Sequence, residues 1–188
     1  MFSDSFLVFG AGAWGTALAI QLSRSKQKVV LTSFDKNNLL EIKQHQENKK
    51  YLPGLLLPKE IDVQPYDTAL VAQAESIVVC VKSPYFLAAI SLLHESMGNK
   101  NLLWATKGFD PETGELFSVV VERTLGQKTP YAVISGPTFA EELAEGRPSA
   151  ITLAANNINN PGALAKQMSN KSLRVYLSDD PVGVQLGG

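Results

Sequence analysis

Short apolar runs rich in β-branched residues alternate along this chain with longer stretches whose apolar positions recur at helical spacing. Runs such as Phe6-Leu7-Val8-Phe9 and Ile77-Val78-Val79-Cys80-Val81 carry no polar position at all. A strand without a polar face is covered on both sides, as in a parallel sheet. The pattern predicts strands near 6–9, 29–32, 77–81, 102–105, 132–134, 151–154 and 174–177. It predicts helices near 14–25, 36–47, 85–97, 116–125, 139–145 and 162–168. This alternation implies an α/β fold: a doubly wound, Rossmann-type, mostly parallel sheet with helices on both faces and right-handed crossovers. Ligands of such folds lie beyond the C-terminal ends of the strands.

Two stretches depart from the alternation. Tyr51-Leu52-Pro53-Gly54-Leu55-Leu56-Leu57-Pro58 holds two prolines and a glycine, which predicts a fixed loop whose leucines pack back on the domain. The segment from Ser178 to Gly188 reads as a helix start, with Asp179 or Asp180 as cap and Pro181 in the first turn. We therefore expect a cofactor domain over 1–177 and, at 178–188, the beginning of a helical domain cut short.

The segments after each strand carry the candidate chemistry. After the first comes Gly10-Ala11-Gly12-Ala13-Trp14-Gly15-Thr16, which leads into the helical Ala17-Leu18-Ala19-Ile20. Strand, G-x-G-x-x-G turn and helix in that order build a pocket for a dinucleotide pyrophosphate. Gly10 permits the tight turn, Gly12 leaves room for the phosphates, and Gly15 lets the helix lie close to the strand. The helix N-terminus adds unpaired N–H groups and partial positive charge.

After the second strand comes Phe34-Asp35-Lys36. Asp35 stands at the spacing of a ribose-binding acid, about 20 residues past the glycines, and equally at the cap of the next helix. Phe34 offers a face for adenine, with core packing as the alternative. Without an arginine here, NAD and NADP both remain open. Lys82-Ser83-Pro84-Tyr85-Phe86 follows the third strand. Ser83 is the expected cap ahead of Pro84, and Phe86 either flanks the cofactor or joins the core. Thr106-Lys107-Gly108 follows the fourth, putting Lys107 at the crevice to hold a phosphate or polarise a carbonyl, or else in solvent. After the fifth, Thr138 and Glu141 have capping-box spacing within Ser135-Gly136-Pro137-Thr138-Phe139-Ala140-Glu141.

Composition narrows the partners. The 188 residues carry 17 basic and 18 acidic side chains, a net charge of −1. That balance gives no electrostatic case for nucleic acid or an anionic membrane. The single cysteine, Cys80, reads as a buried small hydrophobe and permits no internal disulfide, which suits a reducing, cytoplasmic setting. His45 and His94 stand apart, His45 in a polar stretch that reads as a solvated helix, and no spacing suggests a metal. No signal peptide or apolar run of about 20 residues is expected to direct or insert the chain into a membrane.

Taken together, several segments in this order resemble the N-terminal domain of bacterial NAD(P)-dependent glycerol-3-phosphate dehydrogenases. They are Gly10–Thr16, Glu47-Asn48-Lys49-Lys50-Tyr51-Leu52-Pro53, Ala105–Gly108, Ser135–Ala140, Arg174-Val175-Tyr176 and Gly183-Val184-Gln185-Leu186-Gly187-Gly188. The resemblance runs from the first strand to the last residue. It implies reduction of dihydroxyacetone phosphate to sn-glycerol 3-phosphate with NAD(P)H, feeding phospholipid synthesis. It implies that Ala13 and Trp14 meet the cofactor beside Gly10, Gly12 and Gly15 of the turn, with Phe34 at its adenine end, and that Ala140 contacts it. It further implies that Lys107 touches cofactor and substrate, and that Gly136 and Thr138 hold the substrate. Where the family has Val-Pro-Ser, this chain has Val81-Lys82-Ser83. The family's catalytic lysine follows its Leu-Gly-Gly motif, so no catalytic residue is expected within this chain, and a homodimeric parent is open. A ketopantoate or 3-hydroxyacyl-CoA type of dehydrogenase, and a nucleotide-binding module without chemistry, are the alternatives.

Overall fold

The structure is a computed structural model that describes residues 5–188. Eight strands form one sheet in the order β3-β2-β1-β4-β5-β6-β7-β8. β1 (Ser5–Phe9) lies inside it, between β2 (Lys28–Thr32) and β4 (Ser76–Val79). The chain winds outward through β2 to β3 (Ile61–Val63). It then crosses back to β4, β5 (Asn101–Trp104) and β6 (Tyr131–Ser135) on the other side. All pairs from β3 to β6 are parallel, whereas β7 (Ser149–Asn156) runs antiparallel to β6 and parallel to β8 (Leu173–Ser178).

Side-chain alternation divides the apolar strands between two cores. Phe6, Val8 and Leu31 face α1 (Ala13–Arg24) and α2 (Lys36–His45), joined on this side by residues of α6 (Ala140–Glu145) and α7 (Pro161–Met168). Leu7, Phe9, Ile77 and Val79 face α3 (Thr68–Gln73), α4 (Phe86–Met97) and α5 (Phe117–Leu125). This accounts for strands without a polar position. Each buried Leu, Ile, Val or Phe contributes on the order of 1.5–3 kcal/mol relative to exposure.

The sequence reading is thus correct in fold class, with three local revisions. β3 and α3 were not predicted. The last two strands run opposite to the rest. The loop of residues 51–58 does pack back, with Leu52 and Leu57 buried, but Leu56 is 72% exposed.

Candidate cofactor and substrate site

The turn from β1 to α1 sits where the winding of the sheet reverses. Phe9 pairs with Thr32 on one side and Val79 on the other, and Val79 pairs with Trp104. The loops after β1, β2, β4 and β5 therefore open at one end of the sheet. The three glycines there do different work. Gly10 has φ +124°, and a Cβ on it would run into the Cys80 carbonyl. A Cβ on Gly15 would run into the Gly10 carbonyl, so this glycine sets how closely α1 approaches the turn. A Cβ on Gly12 would meet nothing within 4 Å. The space it faces is free for a ligand atom.

Gly12 is also the N-cap of α1, where no side chain caps the helix and the first turn holds no acid. By contrast α2, α3 and α7 start on side-chain caps from Asp35, Asp67 and Asn160. The unfilled donors and the positive end of a 12-residue helix fit a pyrophosphate. The Ala11 carbonyl is held from behind by Asn48 Nδ2 at 2.9 Å and by Asn38 Nδ2 at 3.4 Å.

Around this turn the expected residues take different places. Ala13 and Trp14 begin α1, and Trp14 is half-buried with its indole Nε1 donating to the Thr138 carbonyl at 3.3 Å. That bond brings the loop after β6 to the glycine turn. Gly136 is pressed against β7, since a Cβ there would come within 2.8 Å of the Ala150 carbonyl. The Thr138 hydroxyl donates to the same carbonyl at 2.9 Å. Thr138 is not the cap of α6: the N-cap is Phe139, without a side-chain bond, and the expected capping box with Glu141 is absent. α6 starts one residue later than the spacing predicts, which leaves Thr138 outside the cap position. Ala140, the first residue of α6, is half-buried against the α1-side core.

Phe34 is 48% exposed, with its edge against Phe9 at 4.9 Å between ring centres, leaving surface for an adenine. Asp35 caps α2 through Oδ1, accepting from Asn38 N at 3.0 Å, and its Oδ2 pairs with Lys50 at 2.8 Å. The Lys50 ammonium and the cap hold this carboxyl below the ordinary carboxylate range. Of its two possible roles, the structure shows the cap.

After β4 the chain makes a 3₁₀ turn over Ser83–Tyr85. Its N-cap is Lys82, whose carbonyl accepts from Tyr85 N at 2.9 Å, and the expected Ser83 cap bond does not form. Phe86, expected beside the cofactor, is fully buried instead, 4.2 Å from Phe117 and 5.8 Å from Trp104 between ring centres. The neighbouring Tyr85, which the sequence reading passed over, is 56% exposed at this loop. Lys107 is exposed three residues past β5, after Thr106, whose hydroxyl ties the loop to the Val81 carbonyl at 2.9 Å. Cys80 is partly rather than fully buried as a residue, but desolvation pushes its thiol up to about 12. His45 is the last residue of α2 and is exposed, as expected. Among the described residues no cluster of His, Cys, Asp or Glu could hold a metal, and no helix is long and apolar enough to cross a membrane.

The helix α8 (Pro181–Leu186), capped by Asp180, packs against β6 and β7. Gln185 exchanges hydrogen bonds with Ser118, accepting from its N–H and donating to its hydroxyl, both at 3.1 Å. Gly188 lies at the end of β6, where a Cβ would come within 2.6 Å of Ser135 Oγ.

An uncapped helix start over an open glycine, at the reversal point of a doubly wound sheet, defines a dinucleotide-binding domain. Sequence comparison makes the assignment specific. Residues 5–160 match the family described as NAD-dependent glycerol-3-phosphate dehydrogenase N-terminus, and the chain belongs to that family. It is 39% identical over 186 residues to a glycerol-3-phosphate dehydrogenase [NAD(P)+] of Yersinia pestis, a match covering 98% of this chain and 55% of the relative. The crystal structure of glycerol-3-phosphate dehydrogenase from Coxiella burnetii superposes with a TM-score of 0.93 at 34% identity, covering all of this chain and 57% of that one. A ketopantoate reductase from Ralstonia eutropha shares the fold alone, at TM-score 0.69 and 18% identity over 97% of this chain and 59% of that one. The chain thus spans little more than half the length of the relatives it matches. The cofactor of the domain is NAD or NADP.

Proposed function

We propose that this chain is the cofactor-binding part of a glycerol-3-phosphate dehydrogenase, reducing dihydroxyacetone phosphate to sn-glycerol 3-phosphate. The observation that carries the reading is the Trp14 to Thr138 hydrogen bond, because it joins the cofactor turn to the loop in which the resemblance places the substrate. Gly10, Gly12, Ala13, Trp14 and Gly15 hold the cofactor, with Phe34 at its adenine end and Ala140 on the α6 side. Exposed Tyr85 takes the part first given to Phe86. Lys107 supplies positive charge beside substrate and cofactor, and Gly136 and Thr138 shape the substrate's side of the crevice. When bound, NAD(P)H supplies a hydride for a ketone carbon.

The acid–base group and most of the substrate's phosphate contacts come from the part of the relatives' length that this chain does not span. Residues 1–177 are then the cofactor domain and 178–188 lead into the substrate domain. The setting is cytoplasmic, the product serves phospholipid synthesis, and the whole protein is a candidate homodimer. Nucleic acid is not a partner.

The test is twofold: titrate NADH and NADPH into the 188-residue chain, and assay dihydroxyacetone phosphate reduction by this chain and by a version extended through a relative's second half. We expect nucleotide binding by the short chain and turnover only by the long one. Full activity in the short chain would overturn the division of labour. Binding without turnover in either would favour a module that only senses nucleotide.

A further inference from the structure

The segment between α2 and β3 contains a side chain that the fold has committed to the glycine turn. Asn48 is fully buried. Its Nδ2 donates to the Ala11 carbonyl at 2.9 Å and to Thr16 Oγ1 at 2.8 Å, while its Oδ1 accepts from Tyr51 N at 3.3 Å. Every hydrogen-bonding group of the amide is used. Its orientation is fixed too, because a carbonyl oxygen can only accept, so the NH₂ end must face Ala11. The loop is itself anchored. Leu52 N donates back to the Asn48 carbonyl at 2.8 Å, Leu52 and Leu57 are buried, and Gly54 N donates to the Glu47 carboxylate at 2.8 Å.

We propose that Asn48 is a positioning residue for the cofactor: it aims the Ala11–Gly12 peptide at the pyrophosphate. The proposal rests on reading the Gly10–Gly15 turn as the cofactor site. In a trans peptide the C=O and N–H point in opposite directions. Pulling the Ala11 carbonyl inward turns the Gly12 N–H outward, at the residue whose Cβ direction is open. The second hydrogen bond locks Thr16, whose N–H already binds the Gly12 carbonyl at 3.0 Å. Both ends of the first turn are thereby fixed before a ligand arrives, which removes an ordering cost from binding.

The experiment compares the wild-type chain with Asn48→Ala and the near-isosteric Asn48→Asp. Calorimetry measures NADH affinity, ligand-observed NMR measures affinity for adenosine, which lacks phosphate, and thermal melts confirm folding. We expect NADH binding to weaken by about tenfold or more, as for a misaligned bond to a charged group, while adenosine binding stays within about twofold. If the alanine variant does not fold, Asn48→Ser, which keeps a donor of shorter reach, takes its place with the same expected split. NADH affinity within about twofold of wild type, or equal losses for NADH and adenosine, would overturn the proposal. Wild-type chain that binds no NADH would overturn the cofactor reading and this inference together, so the two failures are distinguishable.

Discussion

The indole Nε1 of Trp14 donates to the main-chain carbonyl of Thr138 at 3.3 Å across 124 positions of sequence. One residue belongs to the helix that begins at the glycine turn, the other to the loop after β6. Trp14→Phe keeps the aromatic bulk and removes the donor. A neutral hydrogen bond contributes about 0.5–1.5 kcal/mol, so we expect NADH affinity to fall by roughly two- to tenfold, with a smaller change in melting temperature. Calorimetric titration of NADH checks the first expectation and a thermal melt the second.

The glycines of the turn should fail differently. Gly12 has φ −78° and free space at its Cβ position, so Gly12→Val should fold with a melting temperature near wild type yet lose nucleotide binding. In Gly15→Ala the new methyl meets the Gly10 carbonyl, so the chain itself should be destabilised, by about 1–3 kcal/mol as for other overpacked sites. Melting temperature and NADH affinity, measured on both variants, separate the two. Equal loss of stability would show that Gly12 is structural.

Lys107 is exposed, and its removal should leave the fold intact. In an extended, active version of the chain, Lys107→Ala should reduce turnover with dihydroxyacetone phosphate far more than it weakens NADH binding. Unchanged kinetics would remove Lys107 from the site.

Stability should fall in acid through identifiable carboxylates. Asp110 accepts from Thr113 N, Glu112 N and the Thr113 hydroxyl, and Asp35 is held by Lys50 and the α2 N-terminus. These bonds hold both carboxyls below their ordinary range. A depressed carboxyl stabilises the fold above its unfolded pKa of about 4, and the contribution is lost as pH falls through the lower folded value. We therefore expect melting temperature to drop below about pH 4, less steeply in Asp110→Asn than in wild type. Thermal melts from acid to neutral pH will show it.

Burial pushes the Cys80 thiol up to about 12. At pH 8 almost none of it is thiolate, the reactive form. A thiol reagent should react slowly with the folded chain and quickly once denaturant is added, and fast labelling of native protein would contradict the desolvated environment.

Much of this architecture was legible because its strands are buried on both faces. Phe6–Phe9 and 77–81 are short and bounded by turn residues, which favours buried strands, and the second ends two residues early, at Val79. β3 escaped because Ile61-Asp62-Val63 has only two apolar positions, too few for a period, and α3 because its six residues do not complete two turns. The reversal at β7 was invisible in principle: an apolar strand has the same pattern whichever way it runs.

Within the site, the local chemistry of the glycine turn was readable, and it narrowed the caps to two roles for Asp35 and to Asp179 or Asp180, between which the structure decides. What depends on distant strands was not readable. Thr138 and Glu141 have capping-box spacing, yet α6 begins only at Ala140 and the Thr138 side chain turns to Ala150 on the neighbouring strand. Phe86 and Tyr85 are adjacent aromatics, and only the packing of α4 decides which is buried. Asn48 carried no local signal: it stands in sequence between Glu47 and Lys49, and only the fold buries it and supplies its partners.

The proximity of Gly188 to Ser135 has a practical side. Any tag or fusion partner joined after Gly188 would begin beside Ser135, at the end of the sheet where the proposed cofactor site lies, and would crowd that site. β1 starts at the opposite end of the sheet, where Ser5 pairs with Lys28. An affinity handle placed ahead of β1 leaves the proposed site clear, and binding data from the two tagging schemes should not be pooled.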